Sequence, residues 1–274
     1  MNLKNFFSAT KNITAFEARS LIESKKQGDF HLLDVRQPKE YQAGHLPGSE
    51  LIPLKELPAR AGELDRNKPV IVYCAVGGRS KVAAQFLAGL DFPEVYNMTG
   101  GMKAWKGHQA FEDEEYGLEL LIGTEDFPEA VSLAYNMEDG LQKFYQTLAD
   151  RAVDGPLKNL YLRLSSFEEK HKQKLRQAYQ DLYQANSSQD TDRLMEGGYN
   201  INELIARTES ANRTEIEIIE MAMMLETQAL DLYSRLARKS KGNSQKLFYD
   251  LADEEHAHLS YLTEKFDHLL NSHN

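Results

Sequence analysis

Two segments of this chain repeat one arrangement of acids and histidines, and that repeat constrains the fold more than any other feature. MEDGLQKFYQTLA (137–149) aligns with LETQALDLYSRLA (225–237), and LSSFEEKH (164–171) aligns with LADEEHAH (251–258). In this register Glu138 matches Glu226, Tyr145 matches Tyr233, Glu168 matches Glu255 and His171 matches His258. The distance from the lone Glu to the Glu of Glu-x-x-His is 30 residues in the first copy and 29 in the second. A period of that length marks a duplicated helical hairpin.

The surrounding pattern agrees. From Phe127 onward no strand signal remains, and apolar residues recur at the helical period. Helices are expected at about 127–151, 156–184, 213–239 and 244–271. Pro128 follows a capping Asp126, and Pro156 follows Asp154-Gly155, both favourable helix starts. A long connection, 185–212, joins the second and third helices, with room for a short helix near 201–210. Four helices with one long crossover form the ferritin-like bundle.

Glu and His three residues apart lie nearly above one another on a helix, so both can point at one ion. A single Glu-x-x-His is more often a solvated face. Here the motif occurs twice, as Glu168/His171 and Glu255/His258, each matched to a lone Glu at nearly equal spacing. The lone acids sit on apolar stripes: Leu133, Met137 and Leu141 surround Glu138, while Ala222, Leu225 and Ala229 surround Glu226. An acid on such a stripe needs a partner. Four carboxylates and two imidazoles suit two divalent cations, whose charge cancels that of the acids.

This part of the chain resembles the rubrerythrin and ferritin-like di-iron family over about 150 residues. The resemblance implies two iron ions, oxygen or peroxide chemistry, and Glu138, Glu168, His171, Glu226, Glu255 and His258 as ligands. Glu168 and Glu255 would be the bridges, and Tyr145 and Tyr233 hydrogen-bond donors behind the ligands. Glu/His sets do not choose sharply between iron and manganese, so a di-manganese site stays open. Two departures stand out. The family's additional Glu one turn after the third-helix ligand is replaced by Ala229, and a chain with one cysteine contains no Cys-rich electron-donor domain. The electron donor is therefore expected to be external. His256 reads as an exposed or supporting histidine, not a seventh ligand.

The first part of the chain is of another kind. HLLDV (31–35), ELIPL (50–54), PVIVYCA (69–75) and PEVYNM (93–98) read as strands. Helical patterns at 14–26, with Thr14 as N-cap, and at 79–90 lie between them. Alternation of this sort predicts an α/β domain around a mainly parallel sheet. The expected organisation is an α/β domain over 1–108, an acidic linker over 109–126 and the helical bundle over 127–274.

Cys74 stands at the junction of the apolar run VIVY and the segment AVGGRSKVAAQFL. That places its sulfur at the end of a buried strand and the start of a helix, where amides and the helix dipole favour a thiolate. Gly77 and Gly78 let the loop curl, and Arg79 closes it with a positive charge. A lone cysteine after a strand is most often inert packing, and a retained fold can serve as a binding module. The loop CAVGGR (74–79), with LLDVRQPKEYQAGHLPGSELIPL (32–54) and TGGMKAW (99–105), resembles the single-domain rhodaneses. The resemblance implies that Cys74 takes sulfur from thiosulfate or another sulfane donor and becomes a persulfide. Ala75, Val76, Gly77, Gly78 and Ser80 would cradle that sulfur, and Arg79 would stabilise its charge. Asp34 and Arg36 would be a supporting ion pair. Six-residue loops of this family accept sulfur, whereas related phosphatases use seven residues for phosphate.

Charge narrows the partners. Residues 1–110 carry 15 Lys and Arg against 11 Asp and Glu, while 111–274 carry 17 against 31. An acidic chain without a basic patch disfavours nucleic acid and anionic lipid as partners. No apolar run approaches the roughly 18 residues of a membrane helix. A single cysteine permits no internal disulfide, so a cytoplasmic location and an external thiol acceptor are expected. A homodimer through helix faces is also expected. The alternative is a persulfide- or partner-binding module without turnover, on a bundle that stores metal or dimerises.

Overall fold

The computed structural model describes residues 10–111, 127–152, 155–182 and 214–272. The chain divides into two units, Met1–Asp113 and Glu114–Asn274.

The first unit is built on a five-stranded sheet of β1 (Lys11–Ile13), β2 (His31–Asp34), β3 (Glu50–Leu51), β4 (Val70–Tyr73) and β5 (Val95–Met98). Their order is β1-β5-β4-β2-β3, and all pairs are parallel. All four residues of β4 are buried, as an unbroken VIVY run demands of a central strand covered on both faces. Leu33, Val35, Val72, Ala84 and Leu87 pack on one side of the sheet, and Leu32, Ile71, Tyr73 and Met98 on the other. Helices α1 (Ala15–Glu23), α2 (Pro38–Gln42), α3 (Leu57–Arg60) and α4 (Gly78–Ala88) connect the strands, and α5 (Gly101–Ala104) follows β5. Thr14 caps α1 reciprocally with Glu17: each side chain accepts the other's backbone N–H, at 3.2 and 2.7 Å. This topology sets residue 74 at the carboxyl end of the central strand, where open α/β sheets place their ligands.

The second unit contains four long helices, α6 (Phe127–Arg151), α7 (Gly155–Leu182), α8 (Glu215–Lys239) and α9 (Gly242–Ser272). They form two hairpins, α6 with α7 and α8 with α9. Thr214 caps α8 through the same reciprocal box, with Glu217. Residues from all four helices share the core, including Ala134, Leu175, Leu230 and Phe248. Each of the four expected helices is present, with ends differing by two residues or fewer. No described helix is long and apolar enough to cross a membrane. The crossover 185–212 with its short helix, the capping acids Asp126 and Asp154, and residues 112–126 of the expected linker lie outside the described residues.

In the first unit the four expected strands are found, each one to three residues shorter than the apolar run that announces it. β1, α2, α3 and α5 are additions. Each has five residues or fewer, too short for a periodic signal to form.

Candidate sulfur-transfer loop and metal centre

Cys74 follows β4 directly and is 1% exposed. The chain then turns through Gly77, whose φ of 98° lies in the left-handed region, and enters α4 at Gly78. The turn aims the Gly77 N–H at the sulfur, 3.1 Å from Sγ. Burial works against a charged sulfur here. The Ser80 hydroxyl and the backbone N–H groups of Ser80, Val76 and Gly77 outweigh it, and the thiol lies below its ordinary value.

The loop is braced from behind by the TGG segment. Met102 and Lys103 donate their backbone N–H groups to the carbonyls of Cys74 and Ala75, at 2.9 and 3.0 Å. With those carbonyls turned away, the loop amides are left facing the sulfur. The approach is close enough to require glycine: a Cβ on Gly101, at φ +53°, would stand 2.1 Å from the Cys74 carbonyl oxygen.

Ser80 is buried and donates to Asn97 Oδ1 at 2.6 Å, while Asn97 Nδ2 donates to Asn12 Oδ1 at 2.8 Å. A hydroxyl carries one proton, so donation to Asn97 and donation to the Cys74 sulfur exclude one another. Reversal of the two amides would turn Asn97 into a donor to Ser80 and release that proton toward the sulfur.

Arg79 does not stand alone at the loop mouth. Its Nη1 and Nη2 each meet a carboxylate oxygen of Glu40 at 2.7 Å. The paired guanidinium draws the Glu40 carboxyl down to about 2. Val76, by contrast, is 64% exposed at the loop's outer edge. Asp34 and Arg36 form a buried ion pair at 2.8 Å, and Arg36 Nη2 also donates to the Gly44 carbonyl at 2.7 Å. That pair ties β2 to the segment leading to Ser49, whose hydroxyl meets Tyr73 Oη at 2.9 Å.

In the second unit the six expected ligands converge. Glu138, Glu168, Glu226 and Glu255 are all 0% exposed. His171 Nδ1 lies 3.2 Å from Glu138, 3.7 Å from Glu168 and 3.0 Å from Glu255. His258 Nδ1 lies 3.2 Å from Glu226 and 3.1 Å from Glu255. The two imidazoles are 5.0 Å apart, centre to centre. Two groups can each surround one ion: Glu138, Glu168 and His171, and His171, Glu255 and His258. Tyr233 donates its hydroxyl to Glu138, and Tyr145 is equally buried. His256 belongs to neither group.

The electrostatics call for cations. Burial and the adjacent Glu255 charge push the Glu226 carboxyl up to about 8. Burial alone would depress His258, but the Glu226 and Glu255 carboxylates win and raise it to about 9. Glu226 Oε1 is buried with no hydrogen-bond partner among the described residues. Four buried carboxylates, two imidazoles and an orphaned oxygen fit two divalent ions of the iron or manganese kind.

Sequence reasoning missed Glu40, Asn97 and Asn12. Asn97 alone carried a signal, as the one amide in the strand VYNM.

Comparison with known proteins finds a match in each unit. The rhodanese-like domain model matches residues 17–108, and the rubrerythrin model matches residues 217–274. The chain is 45% identical over 76 residues to the uncharacterized protein YqhL of Bacillus subtilis, covering 28% of this chain and 60% of that one. It is 35% identical over 98 residues to thiosulfate sulfurtransferase GlpE of Pseudoalteromonas translucida, covering 36% of this chain and 90% of that one. A putative sulfur carrier protein of B. subtilis, YrkF, is 35% identical over 103 residues, with 56% of its length spanned. Among solved structures, a rhodanese-like domain protein from Staphylococcus aureus matches at 27% identity and a TM-score of 0.34, over 37% of this chain and 98% of that one.

The first unit therefore belongs to the rhodanese-like family, whose members act in sulfur transfer. It is joined to a rubrerythrin domain, a kind that binds iron. The rubrerythrin match spans α8 and α9 with Glu226, Glu255 and His258. Glu138, Glu168 and His171 lie outside it and join the site through the fold.

Proposed function

We propose that Cys74 is the nucleophile of a sulfurtransferase and that the helical unit is a di-iron redox domain acting on peroxide or oxygen. The amide-lined sulfur of Cys74, with its thiol below the ordinary value, carries the first half. The thiolate attacks the outer sulfur of thiosulfate or another sulfane donor. The donor's S–S bond breaks, sulfite or a thiolate leaves with the electron pair, and a Cys74 persulfide remains. Amides of Val76, Gly77 and Ser80 hold the charged sulfur, and Arg79 supports it from the helix start. An external thiol, or cyanide, then takes the outer sulfur and regenerates the thiolate. No second cysteine is present to do this.

In the second unit Glu138, Glu168 and His171 would hold one ion, and Glu226, Glu255 and His258 the other. Bound there, two iron ions supply redox chemistry toward peroxide or oxygen. The chain's own residues exclude water from the carboxylates, orient both imidazoles and hold the Tyr233 proton against Glu138. Electrons come from an external donor, since this sequence contains no Cys-rich centre.

Cys74→Ser is expected to abolish thiosulfate-dependent thiocyanate formation, and an unchanged rate overturns the catalytic assignment. Protein purified without oxygen is expected to hold close to two iron ions per chain, with a spectrum that changes on addition of peroxide. Zinc, or no metal, favours a storage or dimerisation module.

A further inference from the structure

The two hairpins are sequence copies, but they differ at the residue preceding each Glu-x-x-His motif. Phe167 precedes Glu168, whereas Glu254 precedes Glu255. Each of these side chains meets the histidine of the other copy, in a different way. Glu254, on α9, reaches across to α7 and places Oε2 3.3 Å from His171 Nε2, off the line of a good hydrogen bond. Phe167, on α7, reaches across to α9 and stacks on His258, with ring centres 4.0 Å apart and planes 7° from parallel. Duplication has thus given one imidazole an anion at its outer nitrogen and the other an apolar ring on its face.

Other contacts follow the same division. Lys174 pairs with Glu254, anchoring the carboxylate at the edge of a cavity of about 780 Å³ that both histidines line. His171 is 1% exposed at its side chain, and His258 is 12% exposed.

We propose that Glu254 is a positioning residue for His171, and that it makes the two metal positions unequal. The proposal rests on the two-metal reading of the six-residue cluster. A carboxylate at the outer nitrogen of a ligating histidine keeps the proton on that nitrogen. The inner nitrogen then has its lone pair free, and the ring becomes a more basic ligand. In His171 the inner nitrogen is Nδ1, which faces Glu138, Glu168 and Glu255. At His258 the residue that corresponds to Glu254 is Phe167, which stacks on the face of the ring and offers its outer nitrogen no carboxylate. The position served by His171 is therefore the tighter of the two, and the position served by His258 the weaker and more open.

The test is anaerobic titration of the metal-free, full-length chain with Fe(II) against a chelating indicator. It is paired with Mössbauer spectra of the ⁵⁷Fe(II)-loaded protein. The wild type is expected to take two ions in two resolved steps and to give two quadrupole doublets. Glu254→Ala should weaken one step by about 10- to 100-fold, the usual cost of losing such a partner, and shift one doublet alone. Glu254→Gln keeps the shape and an acceptor oxygen, so it should lose less; it also decides the question where the alanine variant fails to fold. Glu169→Ala removes a neighbouring surface carboxylate that pairs with Gln142 and Gln173, and should change neither step. Equal weakening of both steps, no weakening, or the same loss from Glu169→Ala overturns the role of Glu254 while leaving two metals in place. Fewer than two ions in the wild type overturns the two-metal reading and this proposal with it.

Discussion

Arg79, in the first turn of α4, and Glu40, in α2, form a two-point ion pair across the mouth of the Cys74 loop, both contacts at 2.7 Å. Each side chain is about one-third exposed, so the pair contributes at most ~1 kcal/mol to stability. Its effect is on where the charge of Arg79 stands: the positive charge that an anionic donor would meet is offset by the Glu40 carboxylate. Glu40→Gln should lower the KM for dianionic thiosulfate by about fivefold, the equivalent of ~1 kcal/mol, with little change in melting temperature. An unchanged KM would mean that Arg79 does not meet the donor. Glu40 is held at about 2, below its ordinary 4.5. Its contribution is therefore complete above pH 4.5 and fades only toward pH 2, so activity should show no break near pH 4 from this pair.

The Ser80 hydroxyl supports the Cys74 thiolate beside the loop amides when its proton turns from Asn97 to the sulfur. Ser80→Ala should raise the thiol toward its ordinary value. Iodoacetamide alkylation followed against pH would report this as a midpoint moved upward, with the rate at pH 7 about tenfold lower. That factor is the scale of one charge-assisted hydrogen bond of ~1.5 kcal/mol. Asn97→Ala tests the relay behind it: if Ser80 must choose between Asn97 and the sulfur, removing Asn97 should leave the midpoint in place or lower it.

Much of both sites was legible in the residues. The six clustered carboxylate and imidazole side chains declare themselves because the hairpin is duplicated, so each weak motif vouches for its copy. The Cys74 loop declares itself because an unbroken apolar strand ends in cysteine and glycines. What stayed hidden depends on contacts between distant segments. Glu40 reads as one more surface acid in QPKEYQ until α2 and α4 are brought together. Asn97 and Asn12 meet because β1 pairs with β5 in a register that sets them side by side, and a three-residue strand announces neither its existence nor its register. Glu254 reads as part of an acidic helix face until α9 lies against α7.

The brace behind the loop is testable through Gly101. Alanine there is strained twice, by φ of +53° and by a Cβ 2.1 Å from the Cys74 carbonyl. Relief requires moving the loop that holds the sulfur. Gly101→Ala should cost ~2 kcal/mol or more in the unfolding of the first unit and depress the thiosulfate rate more than thiolate content alone explains. Gly62→Ala is the control: no atom stands within 4 Å of its added Cβ, and neither stability nor rate should fall.

The buried cluster of carboxylates and imidazoles predicts an alkaline weakness in the metal-free protein. His258 is raised to about 9 from 6.5, so its contribution is complete below pH 6.5 and lost as pH rises through 9. Glu226 is raised to about 8 from 4.5 and acts in the same direction, since ionising it inside the cluster is opposed by burial and by Glu255. Glu255 itself is lowered, so its effect lies far below this range. Between pH 6.5 and 9 the metal-free bundle should therefore lose on the order of 3 kcal/mol, from the His258 shift at 1.36 kcal/mol per unit. Metal ions replace those protons, so loading should release protons and abolish the loss. Urea unfolding of metal-free and iron-loaded protein at pH 6.5 and 9, without oxygen, measures both. Equal pH dependence in the two forms would mean that these carboxylates and imidazoles do not share the metal-binding cluster.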